Sequence, residues 1–317
     1  MRIGVMIGPE RGGYRHKVAQ LVADARAAEE AGFTSIWVPQ IPGEFDAFTA
    51  ITLMGQATER IELGTAVVPI QTRHPIAMAQ EVLSNQAVCE GRFTLGLGAS
   101  HHWIVEDQLG LSYDRPAHQM RTYLEVLNAA LRGPGSVDVE NDGYRVHSPM
   151  DVTDWGPNPV LLAALGPVML RLAGEQASGT ILWMADERAV AEHVVPRITK
   201  AAADAGRPAP RVIAGIPVAL CPNDEVDDAR AWTNRVFGQA ALSPNYQRLL
   251  ERGNATNEGD LLAAGDESAV VGRLRAFRDA GVTDLAVRVV ALGPDREARI
   301  DSRKRTLAFL AFVCPEL

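Results

Sequence analysis

Hydrophobic positions along this chain follow two alternating spacings, which predicts a repeated succession of amphipathic helices and buried strands. The helical segments place apolar residues three and four positions apart, as Val18, Leu21 and Val22 show near the N-terminus. The strands are short, nearly continuous apolar runs, which is typical of strands buried on both faces of a parallel sheet. Eight such strands are predicted, at residues 2–7, 35–38, 61–68, 92–98, 160–164, 180–184, 211–220 and 284–290.

The junction between a helix and the following strand occurs in similar form near both ends of the chain. Residues 30–38 read Glu-Ala-Gly-Phe-Thr-Ser-Ile-Trp-Val, and residues 279–287 read Asp-Ala-Gly-Val-Thr-Asp-Leu-Ala-Val. In both, the glycine can take the left-handed conformation that ends a helix, and an apolar strand follows closely. The repeat indicates that the chain returns from helix to parallel strand over its whole length.

Eight parallel strands alternating with helices predict an α/β fold, a (β/α)8 or TIM barrel, formed by residues 1–317 as one domain. Two segments break the rhythm and are interpreted as insertions, a hairpin within 135–159 and a helical stretch at 224–264. A doubly wound sheet is the alternative, but the loop at residues 8–13 lacks the GxGxxG motif of that fold. A barrel places its active site at the carboxyl ends of the strands.

Composition and charge narrow the class of partner. The 317 residues include 31 basic and 39 acidic ones, for a formal net charge of −8 without a basic cluster. Nucleic acid and anionic membranes are therefore not expected as partners. Three distant cysteines, Cys89, Cys221 and Cys314, suggest neither a disulfide framework nor a zinc site. With no apolar run of ~20 residues and a strand beginning at Arg2, we expect a cytoplasmic protein that binds a small molecule.

The residues just beyond the predicted strands are poor in carboxylates and contain no GxSxG motif, so glycoside hydrolysis and acyl transfer are not favoured. Apolar and aromatic side chains with a few polar groups suit a flat, conjugated ligand. The most specific segment is 165–169, where a glycine precedes a proline at the first helical position. The free N–H groups of such a helix turn attract an anion such as phosphate, although an ordinary strand-to-helix turn has the same pattern.

Two adjacent histidines, His101 and His102, follow the fourth strand. Imidazole is a natural general acid or base near neutral pH, although a loop histidine bonded to backbone is equally compatible with the pattern. Neighbouring side chains point to opposite sides, so at most one of the two faces the cavity, and a metal site is not expected. Arg73 and His74 suit either an anion site or a cap of the next helix, and the cap is favoured. Trp37 and Trp183 are left out of the site as core candidates.

In these segments the chain resembles the luciferase-like monooxygenase superfamily, specifically its actinobacterial oxidoreductases that use the deazaflavin coenzyme F420. The resemblance covers nearly the full length, through residues 35–40, 63–69 with 73–75, 93–101, 111–116 and 164–179. It implies a TIM barrel of the bacterial-luciferase-like type with insertions, usually a homodimer, in which the cofactor ring lies across the strand ends.

The resemblance also implies which residues contact the cofactor. In related enzymes a cis peptide bond that does not precede proline backs the ring, and the matching pair here is Ala66–Val67. Residues 165–169 match the segment that holds the phosphate-bearing tail. The expected cofactor-binding residues are Gln40, Ala66, Val67, Val68, Pro69, Ser100, His101, Leu165, Gly166, Pro167, Val168 and Met169.

One departure from the related enzymes bears on the reaction. Relatives that oxidise alcohols or sugar phosphates often have Asp-His after the second strand, where this chain has Gln40-Ile41, and a glutamine cannot act as a base near neutrality. We therefore expect an F420-dependent oxidoreductase that reduces an activated C=C or C=O bond, with His101 as proton donor and Gln40 as a polar orienting group. The alternatives are an FMN-dependent monooxygenase and a flavin- or deazaflavin-binding protein without turnover.

Overall fold

The strands of the protein close into a ring, as seen in a computed structural model that describes residues 1–8, 16–151, 156–238 and 243–316. Eight of them form the barrel, in the order β1-β2-β3-β5-β8-β9-β10-β12, and β12 pairs in parallel with β1 to close it. The predicted (β/α)8 barrel is thereby confirmed, and the doubly wound alternative is not. The strands are β1 (Arg2–Met6), β2 (Ser35–Val38), β3 (Glu62–Thr65), β4 (Val68–Pro69), β5 (Phe93–Gly98), β6 (Gly135–Glu140), β7 (Arg145–Met150), β8 (Val160–Leu162), β9 (Gly179–Trp183), β10 (Arg211–Leu220), β11 (Ala263–Gly265) and β12 (Asp284–Val289).

Helices surround the barrel and bury one apolar face each, as Leu21, Ala25 and Ala28 do on the first helix. No helix in the described ranges is both long and apolar enough to cross a membrane. Most of the loop at residues 8–13 and the start of the predicted first helix lie outside the described residues. The helices are α1 (Lys17–Glu30), α2 (Ala47–Ala57), α3 (Pro75–Val88), α4 (Pro116–Ala130), α5 (Pro167–Gln176), α6 (Glu187–Ala189), α7 (Val195–Asp204), α8 (Val226–Phe237), α9 (Pro244–Leu250), α10 (Glu267–Asp279) and α11 (Arg296–Val313).

The amino ends of the strands are joined by a cluster of charges, of which Asp284 is buried and Arg211 and Glu62 are partly buried. Arg211, the first residue of β10, bridges Glu62 of β3 at 2.8 Å and Asp284 of β12 at 2.7 Å. The ligand site of such barrels lies at the opposite end, so we interpret this charge cluster as a structural feature. The functional site is therefore sought at the carboxyl ends.

The third barrel strand is interrupted, which corrects the single strand predicted at 61–68. It divides into β3 and β4, because the hydroxyl of Thr65 takes the place of a strand partner. This hydroxyl donates a hydrogen bond to the carbonyl oxygen of Gly96 and accepts one from its N–H, both at 2.8 Å. A Cβ atom on Gly96 would lie 1.9 Å from the carbonyl oxygen of Thr65, so the close approach of the two strands explains this glycine.

Two segments depart from the regular alternation, as the sequence suggested. Residues 135–150 form an antiparallel hairpin of β6 and β7, longer than the apolar pattern indicated, while residues 152–155 lie outside the described part. The stretch at 224–264 contains α8 and α9, with residues 239–242 not described. Its end overlaps β11, which pairs with the end of β10 and was not predicted, since Ala-Ala-Gly has no strand-forming side chain.

Candidate active site

A cleft with two adjoining lobes opens at the carboxyl ends of the barrel strands. The α5 lobe, of about 380 Å³, is bordered by the start of α5 and by α9. The Gln40 lobe, of about 370 Å³, is bordered by the loop after β2 and by the break between β3 and β4. The residues that line both lobes are Val67, Ser100, His101, Ala163, Ile181, Trp183 and Tyr246.

The floor of the cleft is apolar and rests on the filled interior of the barrel. Met6, Ala66 and Val67 line the cleft and pack on an inner cluster to which five strands contribute. The peptide bond between Ala66 and Val67 is cis, as the resemblance implied. Its lining residues give the floor an apolar surface. The inner cluster consists of Trp37, Leu161, Ile181, Ile213 and Ala286.

The expected cofactor-binding residues converge on this cleft with one exception. Val68 is fully buried in the hydrophobic core and faces away from both lobes. Its position follows from β4, in which it pairs with Leu97 of β5 while the next residue turns to the cleft. The residues that do line the cleft are Gln40, Ala66, Val67, Pro69, Ser100, His101, Leu165, Gly166, Pro167, Val168 and Met169.

Gln40 is held in the wall of the Gln40 lobe by the helix that follows it. Its side-chain oxygen Oε1 accepts a hydrogen bond of 2.9 Å from the backbone N–H of Ala47, the first residue of α2. With the oxygen engaged in this way, the amide nitrogen is the atom of Gln40 suited to donate to a ligand. Gln40 thus fits the orienting role that the sequence suggested.

His101 lies between the two lobes, while His102 lines neither of them. The imidazole of His101 stacks on Trp103 at 4.4 Å between ring centres and contacts the ring of Tyr246 at 5.7 Å. Burial lowers the pKa of His101, and the neighbouring His102 lowers that pKa further. The ring is therefore uncharged at neutral pH, with one nitrogen as donor and the other as acceptor.

The start of α5 is open towards the α5 lobe. Pro167 occupies the first helical turn, and the N-cap residue Gly166 has no side chain to cap the helix, so the N–H groups of Val168 and Met169 have no partner within the helix. A Cβ atom on Gly166 would meet nothing within 4 Å, which means that packing within the described protein does not require a glycine here. An open backbone at a helix N-terminus is a suitable place for an anion.

Two arginines that the sequence analysis did not identify add positive charge to the α5 lobe. Arg248 lies on α9 and Arg252 follows it, and both line the lobe. Arg248 donates a hydrogen bond of 2.6 Å to Oδ1 of Asn245. The two guanidinium groups and the start of α5 together make this lobe electropositive. No local motif marks these arginines, since they lie about 80 residues from the glycine that they face.

His193 supports the same lobe from a π-helical turn, Val190–Val194. Its Nε2 atom donates a hydrogen bond of 2.8 Å to the carbonyl oxygen of Leu165, which fixes the backbone just before Gly166. Burial lowers the pKa of His193, so the ring is neutral at pH 7. This histidine was not among the site residues predicted from the sequence.

The assignment of Trp183 to the core was wrong, whereas Trp37 is fully buried as expected. Trp183 ends β9 and lines both lobes. The prediction failed because strand alternation alone does not distinguish the barrel interior from its rim.

The Nε1 atom of Trp183 donates a hydrogen bond of 2.6 Å to Oε1 of Glu258, a residue that was not predicted from the sequence. Glu258 is 1% exposed and lines the Gln40 lobe. Burial raises its pKa to about 7, although the hydrogen bond from Trp183 lowers it.

Of the two residues interpreted as caps of the next helix, His74 has that role, whereas Arg73 forms ion pairs instead. The Nδ1 atom of His74 accepts a hydrogen bond of 3.2 Å from the N–H of Ile76 and caps α3. Arg73 forms ion pairs of 2.7 Å with both Asp46 and Glu81. Neither residue lines the cleft.

Comparison with known proteins gives consistent matches along the chain. A family model described as luciferase-like monooxygenase matches residues 1–289. The 5,10-methylenetetrahydromethanopterin reductase of Methanolobus tindarius is 25% identical over 311 residues, which cover 89% of this chain and 94% of that protein.

Solved structures with the same fold bind different cofactors. The coenzyme F420-dependent tetrahydromethanopterin reductase of Methanopyrus kandleri superposes with a TM-score of 0.74 and 21% identity, covering 98% of this chain and 97% of that one. The oxygenating constituent of 3,6-diketocamphane monooxygenase from Pseudomonas putida, in complex with FMN, gives a TM-score of 0.75 and 17% identity, covering 100% and 99%. The family match spans most of the sequence, and the chain therefore belongs to the luciferase-like monooxygenase family.

Proposed function

We propose that this protein is an F420-dependent oxidoreductase that reduces an activated C=C or C=O bond of a small organic molecule. The observation that carries the proposal is the junction of an apolar floor with an electropositive lobe. Ala66 and Val67 form the floor, while the start of α5 and the arginines Arg248 and Arg252 supply the positive charge. A flat ring with an anionic tail matches both parts.

The residues present fit such a cofactor. Ala66, Val67 and Pro69 would support the ring, and the turn that contains Gly166 would hold the phosphate of the tail at the start of α5. The phosphate-bearing tail is anionic, which suits a lobe with two arginines in addition to a helix N-terminus. The name of the relative from Methanolobus tindarius, a reductase, supports the same direction of reaction.

In its reduced form, the bound cofactor would supply a hydride. The protein holds the substrate beside the ring, excludes water and provides polar contacts at the reacting group. His101 lies between the lobes and would donate its N–H to the substrate, as either a hydrogen bond or the proton that completes the reduction. The amide nitrogen of Gln40 would orient the substrate from the other wall.

Binding measurements test the cofactor assignment. Purified protein is titrated into F420, followed by deazaflavin fluorescence, and separately into FMN. We expect F420 to bind in the micromolar range and FMN to bind at least about tenfold more weakly, a difference of about 1.4 kcal/mol. Tighter binding of FMN, with oxygen-dependent turnover, would replace this proposal with an FMN-dependent monooxygenase.

Turnover is then measured without oxygen, by following the oxidation of reduced F420 with a panel of enones, quinones and ketones. The His101→Ala variant is the matched test of the site, and we expect it to retain F420 binding while turnover falls by about 100-fold. Cofactor binding without oxidation of reduced F420 by any substrate of the panel would instead indicate a binding protein.

A further inference from the structure

A buried carboxyl group faces the Gln40 lobe and has no role in the function described so far. Glu258 is 1% exposed and forms part of the wall of the lobe. One of its oxygens, Oε1, accepts the 2.6 Å hydrogen bond from Nε1 of Trp183. The other oxygen, Oε2, is buried and has no hydrogen-bond partner in the described part of the chain. An unpaired buried oxygen on a cleft wall points to a partner among the ligands.

The fold fixes the position of this carboxyl group. Glu258 begins a short 3-10 turn, Glu258–Leu261, which Asn257 caps by accepting a 2.8 Å hydrogen bond from the N–H of Gly259. The turn packs closely on α8, where a Cβ atom on Gly259 would lie 2.4 Å from the carbonyl oxygen of Arg230. The side chain of Glu258 is therefore held on the lobe by the backbone behind it and by the indole of Trp183.

The surroundings of Glu258 favour its protonated form. The titratable and charged groups that share the lobe come from three other elements and are Tyr246 of α9, Arg288 of β12 and His101 after β5. Arg288 lies over the ring of Phe237, at 5.9 Å from its centre. Burial raises the pKa of Glu258 to about 7, while burial lowers the pKa of His101. When the pKa values of two groups at one site shift in opposite directions, the pair is typically an acid and a neutral hydrogen-bonding group.

We propose that Glu258 is the catalytic acid of this site and that Trp183 is the positioning residue that orients its carboxyl group. The inference rests on the proposed function and assigns the proton to Glu258, so that His101 contributes a hydrogen bond to the substrate. Reduced F420 would be the hydride source and would be oxidised in the step. As the hydride adds to the electrophilic carbon, the π bond of the substrate breaks. The O–H bond of Glu258 breaks as its proton passes to the α-carbon of an enone or to the oxygen of a ketone. The substrate thus gains two electrons and two hydrogens, and water reprotonates the carboxylate.

The first test follows tryptophan fluorescence of the ligand-free protein as a function of pH. The difference between the wild type and Trp183→Phe isolates the emission of Trp183, whose indole donates to the carboxyl group. We expect a transition with its midpoint near pH 7 in the wild type, in agreement with the raised pKa of Glu258. The transition is absent in Glu258→Gln, whose folding is checked by circular dichroism.

The second test measures F420 binding and turnover of the same variants. We expect Glu258→Gln to bind F420 as the wild type does and to lose turnover by about 100-fold. Glu258→Asp recovers part of the loss, and the turnover of the wild type declines as pH rises through about 7 because the acid must be protonated. The matched control is Glu267→Gln, at an exposed position on α10, which keeps wild-type turnover and the Trp183 transition.

Two results overturn the inference in different ways. If the wild type oxidises reduced F420 and Glu258→Gln does so at the same rate, then Glu258 is not the acid, while the proposed function stands. If the wild type neither binds F420 nor oxidises its reduced form with any substrate of the panel, then the proposed function fails and this assignment fails with it.

Discussion

The hydroxyl of Thr65 and the backbone of Gly96 form a reciprocal pair of hydrogen bonds, both 2.8 Å long, at the point where β3 ends. The pair replaces the strand ladder there, so that the next two residues, Ala66 and Val67, can leave the strand and form the floor of the cleft. The N–H of Ala66 is bonded to the carbonyl oxygen of Val38 at 2.7 Å, which fixes the other side of the break. The side chain of Thr65 thus both joins β3 to β5 and sets the position of the cleft floor.

Replacement of Thr65 by valine is expected to lower the free energy of unfolding by about 2–3 kcal/mol, because it leaves the buried N–H and carbonyl of Gly96 unpaired. Cofactor affinity should fall with it, since the floor is no longer fixed. Urea denaturation and F420 titration measure the two effects. The control is Thr233→Val, since the buried hydroxyl of Thr233 donates to the carbonyl oxygen of Ala229 on its own helix. Equal stability of the two variants would contradict the role given to Thr65.

Substitution of Gly96 should lower stability, whereas substitution of Gly166 should weaken cofactor binding with little effect on stability. Gly96→Ala is expected to destabilise the protein by about 3 kcal/mol or to prevent folding, since its Cβ atom meets the carbonyl oxygen of Thr65 at 1.9 Å. Gly166→Val meets open space and should change stability by no more than about 1 kcal/mol at this cap position. The same variant should weaken F420 binding by about tenfold. Wild-type affinity of Gly166→Val would show that the tail is bound elsewhere.

The arginines of the α5 lobe should contribute to affinity in a salt-dependent way. Arg248→Ala and Arg252→Ala are each expected to weaken F420 binding by about fivefold at low ionic strength. Both side chains are exposed to solvent, where salt screens their charge, so the difference in affinity from the wild type should shrink at high salt. Arg171→Ala serves as the control, since Arg171 is exposed on α5 and pairs with Glu175 outside the lobe. Binding that does not depend on salt would rule out an electropositive tail site.

The pKa of Glu258 predicts how stability depends on pH. Between about pH 4.5 and pH 7 the folded protein keeps a proton that the unfolded chain releases, so this residue reduces stability as pH rises. Glutamine does not titrate. The free energy of unfolding of Glu258→Gln, minus that of the wild type, should therefore increase by up to roughly 3 kcal/mol from pH 4.5 to pH 8. Denaturation series at several pH values test this, and a constant difference would mean that the carboxyl group titrates normally.

Local patterns carried most of the information about the barrel. The glycines of the repeated junction, Gly32 and Gly281, have φ angles of 85° and 98°, as a left-handed helix end requires. The apolar pattern did not reveal the break after Thr65, because a strand and a bulge have the same apolar composition and differ only in the partner of one hydroxyl. Only the family resemblance implied an irregular backbone there, through the cis bond between Ala66 and Val67. β11 was missed because its pairing with β10 is set by tertiary structure rather than by propensity.

Some residues of the candidate site could likewise be predicted from local sequence, and others could not. The turn at Gly166 and the position of His101 follow from short motifs at strand ends, which local sequence can reveal. Arg248, Arg252 and Glu258 come from the irregular stretch between β10 and α10, and only the folded chain brings them to the cleft. A buried glutamate has no sequence signal of its own, because its burial depends on neighbours such as a tryptophan 75 residues away.

A crystal structure of the protein with F420 would test the central claim most directly. We predict that the ring lies against Ala66 and Val67 and that the phosphate of the tail lies about 2.7–3.2 Å from the backbone N–H of Val168 or Met169. The open face of the ring should look towards His101 and Glu258. A ring bound away from the floor, or a tail phosphate remote from the start of α5, would contradict the account.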